Sequence, residues 1–105
     1  KKKKKKKKKE QKNELFEAVT TRDLKTVIKL IENGVDFNCS NDIDHLNATP
    51  LQISCYENIP EIAEILLETD KVNVNLSDFS QRTAFWKACE RNNYEIVSKM
   101  LLDPR

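Results

Sequence analysis

Apolar residues fall along this chain in short helical registers of two alternating types. The first type holds a small residue at its centre: Leu15, Ala18, Val19, then Leu51, Ser54, Cys55, then Phe85, Ala88, Cys89, each set at i, i+3 and i+4. Residues so spaced share one face of a helix. The second type is broader and more aliphatic: Val27, Leu30, Ile31, then Ile62, Ala63, Ile65, Leu66, Leu67, then Ile96, Val97, Met100, Leu101. Such stripes mark helices that bury one side. The pattern predicts three pairs of short helices, and the small central residues predict close helix-to-helix approach.

The pairs follow a fixed period. Asn-Ala-Thr-Pro-Leu-Gln-Ile-Ser-Cys at 47–55 returns as Gln-Arg-Thr-Ala-Phe-Trp-Lys-Ala-Cys at 81–89, a shift of 34 residues. Glu61-Ile62-Ala63 recurs at the same offset as Glu95-Ile96-Val97. A period of this length marks stacked helical hairpins that bury their apolar faces on one another. Thr49 and Thr83 are placed to cap the first helices, with Asn13 as the matching cap upstream. Pro50 fits the first helical position, where its missing N–H costs nothing. Arg22-Asp23, Asn58-Ile59 and Asn92-Asn93 form the turns inside each pair, since Asn tolerates the left-handed conformation that ends many helices. Val35-Asp36-Phe37-Asn38 and Val72-Asn73-Val74-Asn75 alternate in a way that predicts brief extended stretches.

These residues resemble the ankyrin repeat. Thr49-Pro50-Leu51-Gln52-Ile53-Ser54-Cys55 is similar to the family's Thr-Pro-Leu-His run, and Glu61 to Leu67 to its second-helix signature. Gly34-Val35-Asp36-Phe37-Asn38 resembles its closing Gly-Ala-Asp-Val-Asn. The resemblance implies an all-α solenoid of about three stacked helix-turn-helix repeats with finger loops, at about 13–43, 44–77 and 78–105. Departures are local. Gln52 and Trp86 stand where the family has His, Ala84 replaces its Pro, and the usual Gly before the capping Thr is absent. The connection around Asp42-Ile43-Asp44 is enlarged. Polar Thr20, Thr21, Arg22 and Lys25 suit an N-terminal capping unit, and Met100 and Leu101 lack an outer neighbour. The chain is therefore expected to be a monomeric segment at the front of a longer solenoid.

Charge separates the chain into two parts. Residues 1–12 carry ten Lys and one Glu, a net of +9; residues 13–105 carry nine Lys or Arg against sixteen Asp or Glu, a net of −7. The Lys run has nothing apolar to offset backbone entropy, which predicts a disordered tail over 1–12. Three readings compete for it: a solvated arm, a contact for the nuclear-import machinery, nucleic acid or anionic lipid, or a translated adenine run without function. No apolar stretch approaches the length needed to span a bilayer. Three cysteines without a close pair argue against a secreted disulfide framework and predict an intracellular, cytoplasmic location, with the nucleus as the alternative. Cys55 and Cys89, one period apart, are expected in the core.

Catalytic chemistry finds little support. Asp42, Asp44 and His45 lack a second His or paired Cys for a metal, and read as a solvated loop. Cys39, Cys55 and Cys89 lack an activating environment. Gly34 is the single glycine, which excludes a Gly-rich phosphate loop. The expectation is a non-enzymatic module with no cofactor and no metal, binding a protein. The resemblance implies a concave binding face formed by finger tips and exposed ends of first helices: His45, Leu46, Ala48, Phe79, Ser80 and Arg82, with Thr20, Thr21, Tyr56, Glu57, Glu90 and Arg91. Trp86 joins them as a large side chain at the family's His position. Tyr, Trp and Arg are the usual anchors of interface energy. Each has a bland alternative: Phe79 tucked under its own loop, Trp86 packed inside, Tyr56 flat on the next repeat, Arg82 and Arg91 paired with local carboxylates. The row Glu57, Glu61, Glu64, Glu68 reads as a solvated face that favours a basic partner.

Overall fold

The computed structural model describes residues 2–40, 48–78 and 80–103, with only the backbone of 2–9. Six helices follow in order: α1 (Lys2–Thr21), α2 (Leu24–Glu32), α3 (Pro50–Tyr56), α4 (Pro60–Glu68), α5 (Ala84–Glu90) and α6 (Tyr94–Leu101). Consecutive helices pair as α1 with α2, α3 with α4 and α5 with α6. The pairs stack in two layers, an inner layer of α1, α3 and α5 and an outer one of α2, α4 and α6. Among the described residues an antiparallel bridge joins Ser77 to Thr83, at the base of the finger before α5.

Each pair turns in the same way. Arg22, Asn58 and Asn92 adopt φ of 62, 58 and 58°, and the next amide reaches back to the inner helix. Asp23 N donates to Ala18 O at 2.8 Å, Ile59 N to Ser54 O at 2.8 Å and Asn93 N to Ala88 O at 2.9 Å. This closes the last turn of each inner helix and satisfies its orphan carbonyls. The acceptors are the three small central residues, so one position serves both the turn and the packing. Gly34, at φ 82°, performs the same closure after α2, where Val35 N donates to Leu30 O at 3.0 Å.

The caps fall largely where the spacing puts them. Thr49 Oγ1 accepts from Gln52 N at 3.2 Å while Gln52 Oε1 accepts from Thr49 N at 2.9 Å, a reciprocal capping box. Thr83 Oγ1 accepts from Trp86 N at 3.2 Å. Asn13 differs. It lies inside α1, which runs unbroken back to Lys2 instead of starting at residue 13 after a disordered arm. Once the turns around Leu15 and Val19 are docked, extending the helix backward needs no second nucleation, and Lys is a good helix former.

One continuous core runs through the stack. Leu15, Val19, Val27, Leu51, Ile62, Leu66 and Ile96 are all sealed from solvent, each burial contributing about 1.5–3 kcal/mol. Ala18, Ser54 and Ala88 are buried as their size predicts. Val35 and Phe37, and Val72 and Val74, point inward as their alternation requires. Their backbone forms side-chain-supported turns in place of extended stretches, with Asn38 N on Asp36 Oδ1 and Asn75 N on Asn73 Oδ1, both at 3.0 Å. Asn38 also ties two repeats together: its Nδ2 donates to Lys71 O at 2.9 Å and its Oδ1 accepts from Asn73 N at 2.7 Å. Lys99 Nζ links α6 to Glu64 of α4 at 2.8 Å.

Cys89 departs from expectation. Cys55 is buried and its carbonyl accepts from the Asn93 side chain of the next repeat, whereas Cys89, in the same register, is exposed. Among the described residues no further inner helix packs beside α5, and this side of Cys89 is open. On α6, Met100 is buried and Leu101 is exposed.

Candidate partner-binding face

The inner layer presents its polar edge through the finger before α5 and through the carboxyl ends of α1, α3 and α5. In the finger, Asp78 and residues 80–82 are organised by one buried carboxylate. Asp78 Oδ1 accepts from Ser80 N at 2.8 Å and from Arg82 N at 3.0 Å. Asp78 Oδ2 lies 2.9 Å from Lys87 Nζ and 3.5 Å from Arg82 Nε. Burial works to raise the Asp78 carboxyl, but the Lys87 ammonium and the two backbone amides outweigh it, so it titrates below its ordinary 3.8. Lys87, on α5, is itself buried against this carboxylate. A buried charge pair of this kind fixes geometry more than it adds stability.

Arg82 leaves the finger directly over Trp86, with its guanidinium carbon 5.2 Å from the ring centroid. Trp86 is 44% exposed, so the packed alternative does not hold. The second cluster spans two repeats. Arg91, the residue after α5, stacks over Tyr56 at the end of α3 with its guanidinium carbon 4.9 Å from the centroid. Tyr56 remains 40% exposed. From the other side Arg22 Nη2 donates to Glu57 O at 3.3 Å. Cations beside the end of α3 suit the negative end of its helix dipole. Each stacked guanidinium contributes about 0.5–1 kcal/mol at an exposed site.

The remaining candidates divide. Glu57, Glu90 and Ser80 are exposed on the same layer, and Thr20 and Thr21 are exposed but hold their hydroxyls on α1 carbonyls. Ala48 is buried, because it enters the capping turn of α3. His45, Leu46 and Phe79 lie outside the described residues, as do Asp42 and Asp44. Three residues that the sequence did not single out as contributors matter here. Asp78 carries a legible signal, a carboxylate five residues before a capping Thr with basic residues four and nine positions on. Lys87 looks like an ordinary surface residue until Asp78 is placed beside it. Gln52 is almost wholly buried, and its Nε2 donates to Leu76 O at 2.6 Å, joining α3 to the segment that leads into the finger before α5.

Two of the thiols, Cys39 and Cys55, are poorly suited to nucleophilic chemistry. Burial pushes Cys55 up to about 12, and burial together with Asp36 raises Cys39. At neutral pH both are protonated and so weakly reactive. Among the described residues no helix is long and apolar enough to cross a membrane.

A model of ankyrin repeats, in 3 copies, matches residues 15–104. The chain belongs to the ankyrin-repeat family. Ankyrin repeats are generally protein-interaction modules, and the family is generally non-enzymatic. The ankyrin region is also similar to alpha-latrotoxin-Lg1a of Latrodectus geometricus, 32% identical over 87 residues. The match covers 81% of this chain and 6% of that relative, so the chain spans a small fraction of its length.

Proposed function

We propose that this ankyrin unit is a non-enzymatic binding module that grips a protein partner along its inner layer. One observation carries the reading: Arg82–Trp86 and Arg91–Tyr56 expose two guanidinium–aromatic pairs on that layer. Such residues supply most interface energy when a partner excludes water from them. Their stacking reduces the side-chain entropy lost on binding. The core beneath them is closed, so the pairs sit on a rigid support.

The test begins with a partner captured by the full-length protein. Tyr56→Ala and Arg82→Ala are each expected to weaken its binding by ~1–4 kcal/mol, without loss of helix content. Unchanged affinity in both variants discards the face. Phe79, Ser80, His45 and Leu46 belong to the same proposal as partner contacts.

A second reading gives the Lys run the decisive role, delivering the repeats to nucleus, nucleic acid or anionic lipid. It is favoured by the concentration of ten Lys within residues 1–12. Under that reading deletion of 1–12 abolishes phosphate binding, and affinity falls steeply with salt. Under the first, deletion leaves partner affinity unchanged. We place the module inside the cell, supported by three thiols that remain unpaired.

A further inference from the structure

The finger before α5 is strained where it would ordinarily be relaxed. Gln81 adopts φ 60°, a left-handed conformation that is unfavourable for a residue with a Cβ. The turn is closed in both directions, with Asp78 N on Arg82 O at 3.1 Å and Gln81 N on Asp78 O at 2.9 Å. Strain of this kind persists only where its surroundings over-determine it. What over-determines it is Asp78. One oxygen binds the amides on either side of Gln81, and the other meets Lys87 of α5 and the Nε of Arg82. The same arginine whose backbone and side chain are both held this way is the one lying over Trp86.

We propose that Asp78 is a positioning residue of the interaction face, fixing the strained backbone at Gln81 against α5 so that Arg82 stays stacked on Trp86. The proposal rests on the inner layer being the binding face, but the stacking itself is independent of any partner. Lys87 acts as the anchor on α5: it brings a fixed charge to the buried oxygen and locks the finger to the helix that carries Trp86. The arrangement assigns the finger two functions. Its tip offers Ser80 and Gln81 to solvent, while its base sets the angle of Arg82.

The chain has a single tryptophan, so its fluorescence reports this site alone. Acrylamide, being neutral, measures ring accessibility without favouring one charge. In the full chain, Arg82→Gln uncovers one of the ring's two faces and is expected to raise the quenching constant by up to about twofold. Asp78→Asn keeps an acceptor for the two amides but removes the charge from Lys87 and Arg82. It is expected to raise quenching as Arg82→Gln does, with helix content unchanged by circular dichroism. Because Asp78→Asn leaves Lys87 buried without a counter-charge, Asp78→Asn/Lys87→Met serves as the companion. It removes that charge and is expected to fold while quenching stays high. The proposal is overturned if Arg82→Gln leaves quenching at the wild-type value. It is equally overturned if the double variant returns to that value, since Asp78 would then not be holding Arg82. No arm uses a partner, so failure here leaves the binding face itself to be judged by its own experiment.

Discussion

The second and third repeats share a backbone and differ in what they show to solvent. Thr49 and Thr83 cap α3 and α5 through the same hydroxyl-to-amide bond, and Asn58 and Asn92 end them at the same φ. Yet three residues after the cap, Gln52 is sealed inside and bonded to Leu76 O, while Trp86 stands in solvent under Arg82. Six residues after the cap, Cys55 is buried and Cys89 is open. The repeat specifies where a side chain starts, and its neighbours decide where it ends up. The proposed binding face rests on positions where equivalent residues diverge, the Arg82–Trp86 pair among them.

The comparison is broken most forcefully at the divergent pair itself. Gln52→Ala removes the return bond of the capping box and strands Leu76 O, and is expected to lower unfolding free energy by about 2–4 kcal/mol in urea. Trp86→Ala is expected to cost less than about 1 kcal/mol in the same measurement. Equal losses would mean that both residues are structural and that the exposure of Trp86 carries no functional meaning. A second pair sharpens the point. Cys55→Leu overpacks a closed site and is expected to cost ~1–3 kcal/mol, against no more than about 0.5 kcal/mol for Cys89→Leu.

The smaller effects concern the finger. Gln81→Gly relieves the left-handed strain and is expected to stabilise the chain by about 1 kcal/mol. Acid adds a check on Asp78. Its folded carboxyl titrates below the unfolded value, so its contribution is complete above about pH 5 and is lost as pH falls through the folded value. Asp78→Asn is therefore expected to flatten the acid limb of stability. An acid limb identical to that of the parent protein would show that Asp78 contributes nothing through its charge.

Much of this architecture is legible in the residues, for identifiable reasons. Leu51, Ser54 and Cys55 disclose a buried face because helical spacing is local, and Thr49 discloses a cap because its partner lies three residues away. The three-repeat stack follows from a 34-residue shift that no single repeat could satisfy alone. What resists reading depends on distance in sequence. Lys87 is buried because of Asp78, nine residues back, and Cys89 is exposed where, among the described residues, no inner helix packs beside α5. The stacking of Arg91 on Tyr56 crosses 35 positions and two repeats, beyond the reach of any local pattern. The Lys run misleads for another reason. Its composition argues for disorder in isolation, but it adjoins a helix already nucleated by a docked face.

The most direct test sets the inner layer against the outer one. Tyr94 on α6 is an aromatic residue 74% exposed, more open than Trp86, and it lies on the opposite layer. Affinity for a partner captured by the full-length protein should be measured for Trp86→Ala and Tyr94→Ala side by side. Trp86→Ala is expected to weaken binding roughly 30-fold, the loss of one anchor, with Tyr94→Ala within about twofold of the parent. A larger loss from Tyr94→Ala, or none from Trp86→Ala, would contradict the inner layer as the binding face.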